Sequence, residues 1–556
     1  MKFSTWDIET EDWNKFKVAS IYTYNKKIII CETIKEIVDN MIKLKGIFYS
    51  HYGGGFDNHF LIKYLRNNDF SMKWFNINSS LNKICVYYKN SNKKLFELRD
   101  SFTILPFSLR ILAKEFTNKE KMDIDRSNIK GYSKEKINEY VASDSIILFE
   151  VIEKYLNLLN KNTIKCTISS ECFTEHKKLY NHKKLRIPSV FDKFIRNSYA
   201  GARTEVFKRY GKNLHYYDFK SMYPSILYEK EFPAGKFILT RKFIYDKFGF
   251  YKCSVKAPNN LNIPFLHTYK DGKLIFCLGS FKGTYTSIEI EKALSLGYKI
   301  TIDYGYYFTE KVKPFKDYVS KWYKLKQEAE DKGNSALRFI SKLYLNTLYG
   351  KFGQRRTFRK IINKEQPIKY YLNNGFNIKD YNEDLNILIT EEESKSKYTM
   401  VHIASFTTAY ARIKLYEKFE EVISKGGEIF YCDTDSIITN IELEIGKKLG
   451  DLDLENEIKE GIFLFPKFYS IRLYDNSVIS KHKGLNNNYD FSEYEKILYH
   501  NDLTSFYEEK ESIASILECN TRNLKHLSII KKHRSLRGVF DKRILTDKIN
   551  TKPIHL

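Results

Sequence analysis

Residues 431–436 constrain this chain most, because they hold two acidic side chains between two apolar, β-prone runs. The six residues read Tyr-Cys-Asp-Thr-Asp-Ser, with apolar residues at 429–431 and at 437–438 on either side. This pattern predicts a β-hairpin with Asp433 and Asp435 near its tip. Two carboxylates held close together repel each other, and a divalent cation with oxygen ligands removes that repulsion. A solvated hairpin tip is the alternative, and this stretch alone favours it.

Two further stretches change that balance. Residues 217–225 read Tyr-Asp-Phe-Lys-Ser-Met-Tyr-Pro-Ser, and residues 342–350 read Lys-Leu-Tyr-Leu-Asn-Thr-Leu-Tyr-Gly. In order and wording, the three stretches resemble the polymerase motifs of family B DNA polymerases. The resemblance implies an α/β multidomain fold. In that fold a ribonuclease H-like DEDD 3′–5′ exonuclease domain precedes a right-hand polymerase of palm, fingers and thumb with two terminal-protein-region insertions.

The resemblance also implies the polymerase metal ligands. Asp218 and Asp435 would hold two Mg²⁺ ions, with Mn²⁺ as an alternative, and Asp433 would lie close by. Thr434, between the two hairpin carboxylates, would contact DNA. A primer 3′-hydroxyl would attack the α-phosphate of a dNTP, and the metals would lower the pKa of that hydroxyl and neutralise the leaving pyrophosphate.

The residues after Asp218 are expected to contact the incoming nucleotide. By the same resemblance, Ser221 and Met222 would offer backbone amides to the triphosphate. Tyr223 would lie under the sugar, where an aromatic ring leaves no room for a 2′-hydroxyl.

The third stretch predicts a helix with one polar face. Spacings of four, four and three residues project four side chains to one side: Arg338, Lys342, Asn346 and Tyr349. Two cations there suit a triphosphate, which needs charge neutralisation and positioning. A solvated basic face is the alternative. Lys326 is a further candidate phosphate contact.

Acidic residues also recur in the first 190 residues. Residues 3–10 alternate enough to form a strand in which Asp7 and Glu9 leave the same face. A glycine-rich loop, residues 49–57, ends at Asp57 before a helix-like run. In a later predicted helix, Tyr140 and Asp144 are four residues apart on one face. The first two pieces have ordinary alternatives: a solvated edge strand and a glycine loop that caps a helix.

Together these pieces resemble the DEDD-type 3′–5′ exonuclease domain that precedes family B polymerases. The resemblance implies that Asp7, Glu9, Asp57 and Asp144 hold two metal ions and that Tyr140 positions the attacking water. Two metals stabilise the attacking and leaving oxygens of such a displacement.

Other exonuclease residues follow from the same resemblance. Ser108 and Leu109 resemble the family's Ser/Thr-Leu motif that contacts single-stranded DNA, and Phe56 is a further expected DNA contact. Lys121 resembles the auxiliary exonuclease lysine of protein-primed members. In the family, an Asn usually stands between the His and the glycines of this loop, whereas this chain has Tyr52. The departure affects the side chain that, by resemblance, would hold the frayed primer end.

Two more motifs concern DNA binding. Residues 198–202 read Ser-Tyr-Ala-Gly-Ala and resemble the Tyr-x-Gly-Gly/Ala linker, with Tyr199 and Gly201 at the matching positions. In the family this linker balances synthesis against proofreading. A small-residue turn is the alternative. Residues 481–484, Lys-His-Lys-Gly, resemble the lysine motif that holds the primer strand. Lys481 matches its Lys-x-Tyr form, whereas Lys483 stands where Tyr is common.

The resemblance, together with the spacing of the motifs, implies seven segments. They are an exonuclease domain at 1–190, a first palm part at 191–232, a first terminal-protein-region insertion at 233–315, fingers at 316–353, a second such insertion at 354–398, a second palm part at 399–510, and a basic, helical thumb at 511–556. Compact members with two such inserts are protein-primed enzymes of phages, linear plasmids and related viruses. The expected partners are therefore template-primer DNA, dNTPs and a terminal protein, and the expected state is a monomer.

The resemblance further implies replication of a linear genome with strand displacement. There are three alternatives: inserts without such roles, an oligonucleotide-primed family B polymerase, and an inactive DNA-binding remnant. The seven acidic residues of the two predicted sites argue against the remnant.

Composition agrees with a nucleic-acid partner. Lysine and arginine outnumber aspartate and glutamate by 93 to 68, a net charge of +25, although an AT-biased genome also yields a Lys-rich chain. Eight cysteines without a CxxC pair predict reduced, intracellular thiols and no structural metal. No run of 18 apolar residues predicts a membrane span. The early Asp7 motif leaves no room for a targeting peptide. The expected location is an infected bacterial cytoplasm, or a mitochondrion for a linear plasmid.

Overall fold

The strand that carries Asp7 is an interior strand of a seven-stranded sheet, next to its central strand. The structure is a computed structural model that describes residues 2–77, 80–382, 386–485, 489–501, 506–514, 518–519, 522, 524–535, 540 and 542–556. The strands of the first sheet are β1 (Phe3–Thr10), β2 (Phe16–Tyr22), β3 (Ile28–Cys31), β4 (Gly46–Ser50), β5 (Phe70–Ile77), β6 (Ser80–Tyr88) and β7 (Lys94–Asp100). Their spatial order is β3-β2-β1-β4-β7-β6-β5, with β1, β4 and β7 parallel. The loops that follow these three strands therefore meet at one edge of the sheet.

Helices cover both the sheet and its acidic edge. The helices of this part are α1 (Ile34–Leu44), α2 (Asp57–Asn67), α3 (Leu109–Phe116), α4 (Lys134–Leu158), α5 (Ile168–Leu179) and α6 (Asp192–Arg196). Ser133 caps α4 by accepting a hydrogen bond from the Lys136 amide, as Ser does at helix N-termini. The helix packs against β1 and β2. This packing brings Tyr140 and Asp144 to the strand that carries Asp7.

The middle of the chain is richer in strands. Its elements are β8 (Ile187–Pro188), β9 (Thr204–Val206), β10 (Tyr210–Phe219), α7 (Met222–Glu229), β11 (Phe232–Thr240), β12 (Gly249–Lys256), β13 (His267–Lys270), β14 (Lys273–Leu278), β15 (Ser280–Thr286), α8 (Ser287–Ser295), β16 (Lys299–Val312), α9 (Lys316–Asp331), α10 (Ser335–Phe352), β17 (Thr357–Asn363), α11 (Ile368–Asn373), β18 (Ile378–Asn382), β19 (Ile387–Glu393) and β20 (Tyr398–Thr399).

The remaining elements complete the second half. They are α12 (Val401–Ser424), β21 (Ile429–Asp433), β22 (Ser436–Thr439), β23 (Leu452–Phe465), β24 (Phe468–Leu473), β25 (Val478–His482), α13 (Phe491–His500), β26 (Tyr507–Ile513), β27 (Ile529–Ser535), β28 (Arg543–Leu545) and β29 (Thr551–His555). None of the described helices combines the length and the hydrophobicity that a membrane span requires.

A second seven-stranded sheet holds the predicted hairpin. Its order is β25-β24-β23-β10-β22-β21-β9, and β10 runs antiparallel to both β22 and β23. The predicted hairpin is confirmed as β21 and β22, and the predicted strand before residue 218 as β10.

Two smaller sheets occupy the segments predicted as insertions. The first has the order β11-β16-β12-β15, and the second has the order β17-β19-β18. Ile361, Ile387 and Ile389 of the second sheet join the apolar core under the N-terminal sheet. The segment boundaries and the roles assigned to the two insertions stay predictions.

The helical character expected after residue 510 is wrong for most described residues there. β26 and β27 pair antiparallel, and β29 lies between β14 and β28 in a mixed sheet. The sequence of β27, Ile-Ile-Lys-Lys-His-Arg-Ser, has no apolar stripe of helical period, and the two isoleucines start a strand instead.

Candidate active sites

The central cluster consists of Asp218, Asp433 and Asp435. Asp218 ends β10 and lies opposite Ser436 of β22 in the sheet. The Phe219 amide donates a hydrogen bond of 2.8 Å to the Asp435 carbonyl, and Thr434 turns the hairpin with φ of 62°. The sheet register therefore places Asp218 and Asp435 side by side, 217 positions apart in sequence.

The electrostatics of the central cluster fit a bound cation. Burial raises the pKa of Asp218 to about 7, with smaller contributions from the negative charges of Asp435 and Glu455. Burial, with a contribution from Asp433, also raises the pKa of Asp435. Asp218 Oδ1 is buried and has no hydrogen-bond partner among the described residues. A buried carboxylate oxygen without a donor is costly, and a hard divalent cation satisfies it. The residues present therefore fit a hard divalent cation.

Asp433 differs from its two neighbours. Its Oδ1 accepts hydrogen bonds from the Thr204 hydroxyl (2.9 Å) and the Thr434 hydroxyl (3.1 Å), and its Oδ2 lies 3.0 Å from Lys467 Nζ. The side chain is thus satisfied by protein groups. In this geometry Asp433 anchors a threonine and a lysine beside the two carboxylates.

Thr204 and Lys467 were not predicted from the sequence. Residues 467–469 read Lys-Phe-Tyr, which is the Lys-x-Tyr form, so the signal was present. Lys481 of β25 lies opposite Tyr469 of β24, at an exposed position, and Lys483 is exposed in the following turn. The structure therefore places Lys467, rather than Lys481 or Lys483, against the central cluster.

The predicted polar face of the third stretch is confirmed on α10. Lys342 and Asn346 are exposed and Arg338 is half-buried, whereas the opposite face buries Ile340 and Leu348 in the core. Lys326 lies on the neighbouring helix α9, 3.5 Å from Glu330.

Tyr349 connects α10 to the central cluster. Its ring stacks on Tyr223 with centroids 4.2 Å apart and planes 20° from parallel. Asp435 is close enough to contribute to the raised pKa of both phenols, after the larger effect of burial. Ser221, with φ of 56°, is the N-cap residue of α7, and Met222 is its buried first residue. The predicted nucleotide-binding residues on α7 and at Tyr349 thus lie together.

The linker with Tyr199 and Gly201 is tied to the hairpin. The Thr434 amide donates to the Arg203 carbonyl at 2.8 Å, and Arg412 of α12 donates to the carbonyls of Ala200 and Gly201. The Tyr199 ring lies against Gly353, directly after α10, where an added Cβ would come within 2.5 Å of the phenol oxygen. A shift of the linker would therefore reach both α10 and the central cluster.

The N-terminal cluster consists of Asp7, Glu9, Asp57 and Asp144. Asp7, Glu9 and Asp144 each have a carboxylate oxygen within 4.8 Å of the other two. Asp57 starts α2, and its Oδ1 accepts a hydrogen bond of 3.3 Å from the Ile8 amide of β1. All four predicted ligands therefore meet at the end of β1.

Repulsion within the N-terminal cluster is strong. Burial, then Asp57, Asp144 and Glu9, raise the pKa of Asp7 well above its usual range, and burial raises that of Asp57 to about 7. Lys121 forms an ion pair with Asp144 and donates to the Tyr140 hydroxyl at 3.0 Å. Four carboxylates with one lysine leave an excess of negative charge that a divalent cation would balance.

The predicted DNA contact at Ser108 and Leu109 is not supported by their positions. Ser108 caps α3 through the Ile111 amide, and Leu109 is only 8% exposed in the core. Another Ser-hydrophobic pair follows β7 directly: Ser101 Oγ lies 2.9 Å from His51 Nδ1, and the Phe102 ring packs edge-on against Tyr52. The parallel strand order, which the sequence does not state, puts this second pair beside the glycine loop.

The glycine loop itself is held by a buried carboxylate. Asp100 accepts hydrogen bonds from the amides of Tyr52 (3.0 Å) and Gly54 (3.1 Å). Burial raises the pKa of Asp100 to about 6. Phe56, next to Asp57, packs edge-on against Trp13 with centroids 6.2 Å apart.

Two DNA polymerases of other organisms are similar to this chain in sequence. A probable DNA polymerase from Podospora anserina is 31% identical over 392 residues, covering 62% of this chain and 32% of that protein. A DNA polymerase from Bacillus phage M2 is 26% identical over 505 residues, covering 82% of this chain and 83% of its own. The chain thus spans about a third of the fungal relative's length.

The fold also has a solved counterpart. Phi29 DNA polymerase, complexed with primer-template DNA and incoming nucleotide substrates, superimposes with a TM-score of 0.74 over 96% of this chain and 99% of that chain, at 20% identity. Residues 119–424 match the family described as DNA polymerase type B, organellar and viral. This match covers more than half of the 556 residues and includes the strand of Asp218, helix α10 and the linker. The chain belongs to the organellar and viral family of type B DNA polymerases.

Proposed function

We propose that this protein is a DNA-templated DNA polymerase with a 3′–5′ proofreading exonuclease. The observation that carries the proposal is the side-by-side placement of Asp218 and Asp435, with a buried Asp218 oxygen that no described group satisfies. Structural carboxylates in a sheet would be paired instead, as Asp433 is.

In the proposed polymerase reaction, the chain mainly positions its substrates. Asp218 and Asp435 would hold Mg²⁺, which would lower the pKa of the attacking 3′-hydroxyl and neutralise the leaving pyrophosphate. Lys342, Asn346 and Arg338 present donors along one face of α10 for the triphosphate oxygens. The stacked Tyr223 and Tyr349 form a flat wall under the sugar of a bound nucleotide.

In the proposed exonuclease reaction, the N-terminal cluster acts on an unpaired 3′ end. Asp7, Glu9, Asp57 and Asp144 would hold the metal ions. Tyr140, whose hydroxyl accepts a hydrogen bond from Lys121, would orient the attacking water. Lys121 also supplies positive charge where negative charge grows on the phosphate.

A separation-of-function experiment tests both halves of the proposal. The double substitution Asp7→Ala with Asp144→Ala should abolish degradation of a labelled single-stranded oligonucleotide and leave primer extension in place. Degradation that persists in the double variant would refute the exonuclease assignment.

We further propose that initiation is protein-primed, with a terminal protein as partner, and that synthesis displaces the non-template strand of a linear genome. Support comes from the phage relative, which matches over most of both chains, and from the two additional sheets β11-β16-β12-β15 and β17-β19-β18. In this reaction a Ser, Thr or Tyr hydroxyl of the terminal protein replaces the primer 3′-hydroxyl.

Priming is tested by incubating the protein with its genomic terminal protein, Mg²⁺ and one labelled dNTP. A covalent protein–dNMP adduct supports the proposal. A strict requirement for an oligonucleotide 3′-hydroxyl would identify an oligonucleotide-primed enzyme instead.

A further inference from the structure

We propose that Tyr155 and Tyr344 form a positioning pair that sets the affinity of the polymerase site for its incoming nucleotide. The inference rests on the proposed function and adds two residues that would not touch the substrate. Tyr155 lies on α4, the helix that carries Asp144 of the N-terminal cluster. Tyr344 lies on α10, between Lys342 and Asn346 of the predicted triphosphate face. The pair therefore connects the helices of the two candidate sites.

The two hydroxyl groups meet in the core. Their oxygens are 2.9 Å apart, and neither Tyr155 nor Tyr344 has exposed surface. Lys161 Nζ donates to the Tyr344 oxygen at 3.3 Å and pairs with the buried carboxylates of Glu171 and Glu175. A hydroxyl oxygen that accepts from an ammonium group retains its own hydrogen, which here can be donated to the Tyr155 oxygen.

Tyr344 is also held by the neighbouring helix α9. Its ring packs on Trp322 with centroids 4.1 Å apart, and the Tyr318 hydroxyl donates to the Tyr344 carbonyl at 3.0 Å. Helix α9 also carries Lys326, the further candidate phosphate contact. A displacement of Tyr344 would therefore move both helices that carry predicted phosphate contacts.

Other contacts with the N-terminal part hold the first turns of α10. Phe339 packs edge-on against Phe107 and Phe116, with centroids 4.5 and 5.9 Å apart. Ser335 Oγ donates to the Glu115 carbonyl at 2.8 Å. Ring contacts tolerate small shifts, whereas a hydrogen bond needs a defined distance and angle. The hydroxyl pair therefore fixes the middle of α10, beside the predicted triphosphate face.

A fixed α10 should bind a nucleotide more tightly than a mobile one, because less ordering has to accompany binding. Without the hydroxyl pair, α10 would be free to shift, and a nucleotide would have to draw the helix back. The affinity for dNTP should then fall, whereas the chemical step of the bound complex should stay the same. Such a change raises KM and leaves kcat unchanged.

The test is incorporation of a single nucleotide by the full chain on a primed template with Mg²⁺, at varied dNTP concentration. The primer ends in a phosphorothioate linkage, which slows its removal by the proposed exonuclease. Tyr155→Phe removes one hydroxyl of the pair and keeps both rings. Tyr298→Phe is the matched control, because it removes another buried hydroxyl, which accepts from the Phe265 amide at 2.8 Å. Urea denaturation measures the stability of each variant.

We expect Tyr155→Phe to raise the KM for dNTP about 2- to 12-fold, the range that corresponds to one lost hydrogen bond. The kcat, and the degradation of a single-stranded oligonucleotide, should stay within about twofold of the wild type. Tyr298→Phe should lose similar stability without a change in KM. Tyr344→Phe should also raise KM. The double variant should raise it no further than Tyr344→Phe alone, because the second hydroxyl then has no partner.

Three results would overturn the inference. One is an unchanged KM in Tyr155→Phe. Another is an equal change of KM and kcat in Tyr155→Phe and Tyr298→Phe, which would show a general loss of stability. The third is a double variant in which the two single effects multiply, because the hydroxyls would then act independently. Failure of the proposed function is recognised separately, since the wild-type chain would then incorporate no nucleotide.

Discussion

At the scale of single residues, the central cluster separates two kinds of carboxylate. Asp433 has hydroxyl and ammonium partners on both oxygens, whereas Asp218 has a buried oxygen that no described residue satisfies. The central cluster thus contains one anchoring carboxylate, Asp433, and one carboxylate suited to a cation, Asp218.

Lys467 should matter more than Lys481 for extension. Lys467→Ala removes the ammonium group that pairs with Asp433. A charged hydrogen bond is worth about 1.5–3 kcal/mol, so its loss should reduce the extension rate roughly 10- to 150-fold. Lys481→Ala, at an exposed position on the adjacent strand, should change the rate less than about threefold. Steady-state primer extension measures both, and a larger defect in Lys481→Ala would show that the neighbouring strand holds the functional lysine.

Tyr223 should control sugar selection. Tyr223→Val removes one ring of the stacked pair with Tyr349 and opens space at the expected 2′ position. Discrimination against ribonucleotides should fall by about 10- to 200-fold, the range for a change in pocket volume. Incorporation of rNTP and dNTP on one primed template measures this. Unchanged discrimination would place the gate elsewhere.

The candidate metal-binding carboxylates could be predicted from the sequence, whereas the residues that hydrogen-bond to them or lie beside them could not. The resemblance of the motifs to family B polymerases pointed to Asp7, Asp57, Asp218 and Asp435, and the structure gathers them into two acidic clusters. Thr204 reaches Asp433 only because β9 pairs with β21, more than 200 residues away in sequence. Ser101 was missed because the order of β1, β4 and β7 decides which loop faces the cluster.

At the scale of elements, periodicity predicted the pieces with clear patterns. Helix α10 and the β21–β22 hairpin follow from spacings of four and two. The prediction of helical character failed after residue 510, where basic residues gave no apolar period and strand pairing decided the structure.

Helix α12 should make the fold sensitive to acid. Burial lowers the pKa of His402 to about 3, and neither ring nitrogen has a hydrogen-bond partner among the described residues. The unfolded chain takes up this proton near pH 6.5 and the folded chain does not. Stability is therefore complete above pH 6.5 and is lost as pH falls, by about 1.4 kcal/mol per pH unit.

His402→Phe should remove this contribution, since the ring already stacks on Phe308 at 5.2 Å. Between pH 7.5 and 5.0, the variant should lose about 2 kcal/mol less stability than the wild type. Urea denaturation at both pH values measures the difference. An identical pH dependence in the two proteins would show that His402 does not titrate in this way.

At the scale of the whole molecule, the second additional sheet is docked on the N-terminal part. Asn363 at the end of β17 accepts from Arg66 Nη2 (2.9 Å) and Trp74 Nε1 (3.1 Å) and donates to the Met72 carbonyl (3.1 Å). Together with the buried Ile361, Ile387 and Ile389, these hydrogen bonds join segments about 290 residues apart in the sequence. Packing of this kind left no signal in the sequence.

Asn363→Ala should loosen that contact. Loss of the three hydrogen bonds predicts a docking interface weakened by about 1–3 kcal/mol, with faster amide hydrogen exchange across residues 357–393. Asn374→Ala, which removes only a helix-end bond to the Tyr370 carbonyl, is the matched control. If the proposed strand displacement depends on this docking, synthesis through duplex should slow more than synthesis on a single-stranded template. Equal exchange in both variants would contradict the docking role.

The role of the central cluster is tested most directly by primer extension with Asp218→Asn, measured beside degradation of a single-stranded oligonucleotide by the same preparation. Asn keeps the size of the side chain and removes the charge that would hold the cation. We expect primer extension to fall by roughly 1,000-fold or more, because the charge that would stabilise the transition state is lost, and degradation to stay unchanged. Extension at the wild-type rate would contradict that role.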